Sequence, residues 1–163
     1  MQNREYWKMY YGMEAHPEGG WFREIYRSNE TFSPSSKKET RSLCTSMMYL
    51  LEDDDYSAFH RIESDELWHY CDGSADVYLH CFSEDGEYNL KVLGIDSQQA
   101  VPCLLIPGNT WFAAELAHKS GAFALSGCTV SPGFDFNDFE MADGQKLAGM
   151  FPDHASLIQR LSK

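Results

Sequence analysis

The chain has 163 residues, the length of one domain, and a globular chain of this size buries roughly 70% of the surface its unfolded form would expose, so it can fold without a metal or a disulfide. Hydrophobic residues make up 43% and charged residues 23%, a packed composition rather than a disordered one. The formal net charge of -12 repels phosphate backbones and anionic lipid surfaces, which argues against nucleic acid and membrane as partners.

In chain order, the first dozen residues carry helical spacing, with Tyr6, Met9 and Tyr10 able to share one face. The N-terminal segment lacks the apolar run of a signal peptide, and no stretch reaches the length of a spanning helix. His16-Pro17-Glu18-Gly19-Gly20 reads as a loop, because Pro fixes φ and the glycine pair frees it. Trp21 to Arg27 reads as a strand. Thr31 to Arg41 reads as an exposed loop, in which Ser33 to Lys38 is also a candidate pocket lid.

From there the texture is all-β. Strands are expected at 43–51, 57–63, 66–71, 75–82, 86–93, 101–106, 111–116 and 121–130. Glu52 to Asp55 forms a solvated turn, and Asp72-Gly73 and Asp85-Gly86 mark hairpins. Short strands at this spacing predict a sandwich or barrel. The tail returns to helical spacing over Asp138 to Met150 and His154 to Leu161. Residues 1–163 read as one domain. Cys44, Cys71, Cys81, Cys103 and Cys128 form no CxxC pair, and most sit in apolar strand-like stretches, so reduced, buried thiols in a cytoplasmic protein are expected.

The densest polar-aromatic segment runs from Ser57 to Gly73. Strand alternation puts His60 with Ile62 on one face, Glu66 with Trp68 and Tyr70 on another, and His69 opposite them. A glutamate facing a barrel interior is costly unless it has a partner, which marks Glu66 as a site residue. Histidine titrates near neutrality, so His60 suits proton transfer. His60 can equally be a satisfied core histidine, and Trp68 and Trp111 can be either pocket walls or core. Glu18 and Glu24, near the glycine pair, are candidate ligand contacts. Pro132-Gly133 with Phe134, Phe136 and Phe139 reads as a structural corner that packs the C-terminal segment.

Glu66, six residues and Gly73 resemble the second half of the first cupin motif, with His60 at its first histidine and Ile62 where a second metal histidine would stand. Pro107-Gly108-Asn109-Thr110-Trp111-Phe112 resembles the second cupin motif, with Phe112 at the histidine position. His16 to Gly20, Ser57 to Trp68 and Thr129 to Phe139 resemble the uncharacterised small cupins that carry PHPEGG and TVxPGFxFxDF. The resemblance implies a double-stranded β-helix, a jelly-roll-like barrel with short N- and C-terminal helices, commonly a homodimer, with a small-molecule pocket at its mouth. Of the four metal ligands that metal cupins use, only His60 and Glu66 stand at matching positions, so no metal or cofactor is expected. The metal-free dTDP-4-dehydrorhamnose 3,5-epimerases are similar, and that similarity casts His60 as a base, beside Glu66, and Tyr49 or Tyr70 as the acid. Two functions follow: an epimerase or isomerase acting on a sugar-like or keto-acid molecule, or a non-catalytic binding module. A metal-dependent cupin enzyme is the further alternative.

Overall fold

The structure is a computed structural model that describes residues 2–33, 39–83, 85–118 and 120–163. Residues 34–38, the core of the expected loop and of the candidate lid, lie outside the described residues. The flanks of that loop are ordered against each other, with Thr31–Phe32 paired to Arg41–Ser42.

The N-terminal helix α1 spans Arg4–Tyr11. Asn3 caps it by accepting from the Tyr6 N–H, and Gly12 ends it in the left-handed region. The strands are β1 (Glu14–Ala15), β2 (Trp21–Arg27), β3 (Thr31–Phe32), β4 (Arg41–Ser42), β5 (Thr45–Glu52), β6 (Tyr56–Ile62), β7 (Asp65–Gly73), β8 (Val77–Phe82), β9 (Tyr88–Leu93), β10 (Cys103–Ile106), β11 (Trp111–Leu116), β12 (Phe123–Ser131) and β13 (Phe139–Met141). The tail adds α2 (Gly144–Met150) and α3 (Ala155–Arg160). The first tail helix therefore starts later than its spacing suggests. Phe139–Met141 instead pairs with β6 as an edge strand, and Asp143 caps α2.

Among the described residues, two antiparallel sheets form the barrel. Their orders are β1-β2-β5-β12-β7-β10 and β13-β6-β11-β8-β9. Consecutive strands alternate between the sheets at the site: β6 lies in one, β7 in the other, β8 back in the first. Asp72-Gly73 is thus a crossing between sheets rather than the hairpin its sequence suggests. Asp85-Gly86 does join a paired hairpin, β8 to β9.

The main core lies between the sheets, where Tyr49, Trp68 and Cys128 meet Leu79, Phe112 and Leu116. Fully burying side chains of this size stabilises by about 1.5–3 kcal/mol each. A second core fills the outer face of the five-stranded sheet, where Phe59 and Phe82 pack against Leu147, Ile158 and Leu161 of the tail. On the outer face of the other sheet, Trp7 and Tyr11 of α1 pack on Leu50 and Leu125. With core filling the barrel's middle, open space remains toward one end. All five cysteines are free; Cys81 and Cys128 are buried, while Cys71 and Cys103 are exposed, against the expectation of burial.

Candidate functional site

The site begins with the glycine pair. Gly19 has φ +117°, and a Cβ there would sit 2.0 Å from the Tyr56 carbonyl oxygen. Gly20 has φ +69°. Only glycine lets the β1–β2 loop press this closely onto the barrel. Backbone bonds then close the loop: Gly19 N–H to His16 O at 3.0 Å, His16 N–H to Gly20 O at 3.0 Å, and Ala58 N–H to Glu18 O at 2.8 Å. The Tyr49 hydroxyl donates to Gly19 O at 2.7 Å. The result is a carboxylate driven inward, with Glu18 only 3% exposed.

Glu18 is the hub of the polar floor. Its Oε1 accepts from the Ser57 hydroxyl at 2.9 Å. Its Oε2 lies 3.2 Å from His60 Nε2 and 3.5 Å from His16 Nδ1. The two imidazoles differ. His16 Nδ1 faces the Glu18 backbone N–H at 3.3 Å, so it acts as an acceptor and the ring is neutral. Burial pushes the His16 pKa down, outweighing the pull of Glu18. His60 Nδ1 instead faces the Ala58 carbonyl at 2.8 Å. A carbonyl can only accept, so Nδ1 carries the hydrogen. That leaves Nε2 facing the Glu18 carboxyl.

Glu66 approaches the same space from the opposite sheet, and it is 4% exposed. Burial first, and then the Glu18 charge, push its pKa up to about 8, which keeps it a neutral acid at pH 7. Trp68 and Cys128 lie beside it and favour its ionised form. The Trp68 indole N–H nevertheless has no hydrogen-bond partner.

These groups face a cavity of about 310 Å³. His16, Glu18, His60 and Glu66 lie on its polar side, and Phe22, Phe134, Phe136 and Phe139 line its walls. The phenylalanine wall is fixed from below. Phe134 N–H donates to Thr45 Oγ1 at 2.9 Å, and Arg41 grips Asp138 through two nitrogens at 3.1 and 3.0 Å. At the mouth, Glu24 accepts from Arg27 at 2.9 and 2.6 Å.

The structure therefore brings together Glu18, Glu24, His60 and Glu66 from the sequence expectations. It differs on their pairing: His60 and Glu66 belong to different sheets, and the neighbour of His60 is Glu18. It places the remaining candidates elsewhere. Trp68 is core, 1% exposed, and absent from the cavity lining. Trp111 sits under the Arg61 guanidinium at 4.5 Å and packs on the tail-side core. Tyr49 is buried behind the floor, its hydroxyl spent on Gly19. Tyr70 lies toward Gly73, and burial raises its pKa to about 12. Neither tyrosine lines the cavity. Conversely, Phe134, Phe136 and Phe139, expected as a structural corner, form cavity wall. The expectations also omitted His16 and Phe22. The signal was present: His16 stands two residues before Glu18 in the same fixed loop, and Phe22 opens the strand that follows.

Ile62 and Phe112 occupy the positions of two cupin metal histidines, and the Phe112 ring lies 4.3 Å from that of His60. Among the described residues no group of three or more His, Cys, Asp or Glu side chains is arranged to hold a metal ion. The residues present do not fit the four-ligand centre of metal cupins. Among the described residues no helix is long and apolar enough to cross a membrane.

Comparison with known proteins agrees with this architecture. A family model described as Cupin superfamily (DUF985) matches residues 5–142. The structure of a protein from Shewanella oneidensis is 35% identical, covers 100% of this chain and 99% of its own, and superposes with a TM-score of 0.89. A hypothetical protein from Leishmania major is 26% identical over 99% of both chains, with a TM-score of 0.89. Oxalate decarboxylase from Bacillus subtilis is 15% identical over 90% of this chain and 36% of its own, with a TM-score of 0.54, a likeness of fold alone. No curated protein matches the chain. With its barrel, its motifs and a family match over most of its length, the chain belongs to the DUF985 family of the cupin superfamily.

Proposed function

We propose that the cavity binds a small polar molecule and that His60 moves a proton on it, making the protein a metal-independent isomerase or epimerase. The observation that carries this reading is the opposition of two kinds of proton site across one cavity. On one side His60, with its Nδ1 hydrogen held by the Ala58 carbonyl, presents Nε2 as the proton acceptor beside Glu18. On the other, Glu66 is a carboxylic acid at neutral pH. A C–H next to a carbonyl would lose its proton to the first, while Glu66 donates a hydrogen bond to the enolate oxygen. The protein's phenyl walls would cover the apolar face of the ligand and exclude water.

The test has two steps. Native mass spectrometry of protein purified without added ligand should show a retained small molecule. That molecule, released and incubated with the protein in heavy water, should exchange a carbon-bound proton, and His60→Gln should abolish the exchange. Retention without exchange would make the protein a binding module. A stoichiometric transition metal lost on His60→Ala would replace this reading with a metal-dependent one.

The family resemblance further supports a dimer, and α1 leaves Tyr6, Met9 and Tyr10 at 39%, 82% and 65% exposure, more apolar surface than one short helix commonly shows water. Sedimentation should find a species of twice 18.6 kDa; a lone monomer at micromolar concentration refutes it.

A further inference from the structure

Hydrogen bonds already made along the cavity limit what else it can hold. Near the mouth, Arg27 Nε and Nη2 donate to Glu24, and Nη1 donates to the Phe134 carbonyl at 3.1 Å. Asp135 accepts from the Asn137 N–H at 2.9 Å. The two hydroxyls of the described lining are also engaged. Thr45 accepts from the Phe134 N–H, and the Ser46 hydroxyl lies 3.1 Å from that of Thr129. On the floor, Ser57 and His60 meet Glu18, and Glu66 has Trp68 and Cys128 beside it. His60 Nε2 and Glu66 can together serve one polar group of a ligand, the carbonyl of the proposed proton transfer.

The positions next to these two groups are hydrocarbon. Ile62 follows His60 on the inward face of β6 and is paired across strands with Phe139. Val130 on β12 stands directly opposite Glu66 on one side and Thr45 on the other. All three line the cavity. A ligand hydroxyl next to the reacting carbon would therefore meet branched alkyl chains and a phenyl ring, and a buried hydroxyl without a partner is costly. Farther out, Phe134, Phe136 and Phe139 stand edge to face, with centroids 5.0, 6.2 and 6.1 Å apart. A further ring extends such an arrangement. Phe136 is 58% exposed, an aromatic surface that a bound hydrocarbon body would take out of water.

We infer that the ligand of this cavity is a ketone or aldehyde with a hydrocarbon body, its carbonyl at His60 and Glu66 and its body against Ile62, Val130 and the phenylalanines. The inference rests on the reading of the cavity as a ligand site and deepens it. It narrows the ligand to compounds whose one polar group is the reacting carbonyl, and it excludes sugars.

Phenylacetone and erythrulose separate the two kinds of body: both are small open-chain ketones, one carrying a phenyl ring and the other hydroxyls. Each is titrated into the protein while NMR follows the Phe139 ring and the Ile62 and Val130 methyl groups. Phenylacetone should shift these signals and bind at least about tenfold more tightly than erythrulose, which corresponds to about 1.4 kcal/mol. Val130→Thr keeps the side-chain shape and adds a hydroxyl beside Glu66, so it should shrink that ratio. If the variant loses its native circular dichroism, the ratio on the unaltered protein decides alone. If erythrulose binds as tightly as phenylacetone, the hydrocarbon-body inference is wrong and the cavity remains a ligand site. If neither probe moves these signals, the inference and the ligand-site reading both fall. Phenylacetone that binds, yet exchanges its methylene protons in heavy water no faster than in buffer, leaves this inference standing and removes the proton transfer.

Discussion

Two buried histidine–glutamate contacts sit in different parts of this barrel, and they are finished differently. On the tail side, His80 Nδ1 meets the Tyr88 hydroxyl at 2.8 Å and Nε2 meets Glu115 at 3.1 Å. Glu115 accepts two bonds from Arg160 at 2.6 and 2.8 Å. His154 closes over Tyr88 at a centroid distance of 4.4 Å. His80, Tyr88, Glu115 and Arg160 all have protein partners there, and neither lining of the described cavities includes them. At the mouth, His60 and Glu18 are tied to each other, while Glu66 lines the cavity with Trp68 and Cys128 beside it. A satisfied buried pair fastens α3 to β8 and β11. Burial of a charged residue alone does not separate these cases, whereas an inventory of partners does.

The sharpest break of this comparison exchanges the two histidines for glutamine. His60→Gln should cut proton exchange on the retained ligand by about 10²–10⁴-fold, the usual contribution of a general base, with little change in urea midpoint. His80→Gln should leave the exchange rate near wild type and lower the midpoint. Equal effects of the two variants on exchange would erase the distinction.

Next in size is Glu115→Ala. It strands His80 and Arg160, and removing one member of a buried pair costs about 3–5 kcal/mol. Arg160 is half exposed, which lets water take over part of its loss, so about 3 kcal/mol is expected from urea denaturation. A cost below about 1 kcal/mol would show that the tail-side network does not fasten the fold.

The remaining effect is a pH slope. Glu66 is raised to about 8 in the folded chain from an ordinary value of 4.5. Between those values the unfolded chain releases the proton and the folded chain keeps it. Stability therefore falls as pH rises through this window, by about 1.4 kcal/mol per unit at most, and levels off above about 8. His16 acts in the opposite sense: its lowered pKa removes stability as pH falls below its unfolded value. The difference between wild type and Glu66→Gln isolates the first term. That difference should grow in favour of the glutamine variant from pH 5 to about 8. A flat difference would mean that Glu66 is ionised in the folded chain, and the contrast with Glu115 would lose its basis.

Much of the fold is legible in the chain. Period-2 alternation over short runs, with turn residues between them, forces half-buried strands, and it correctly turned His60 and Glu66 inward, because a strand can bury only one face at a time. The glycine pair after Glu18 announced a close approach. Alternation says which face a residue occupies, not which strand lies opposite. Only the assembled barrel put β6 and β7 in separate sheets, so that His60 and Glu66 face a common cavity instead of each other. It also carried Glu18 across from the first loop to His60, 42 positions away in the numbering, and folded a phenylalanine-rich corner from the far end of the chain over the mouth. Trp68 and Trp111 show the same limit from the other side: they flank the motif positions in sequence, yet one fills the core and the other lies under Arg61. Local sequence sets side-chain direction through backbone geometry. Partners and open space arise where distant segments meet, and the packing of the whole chain decides them.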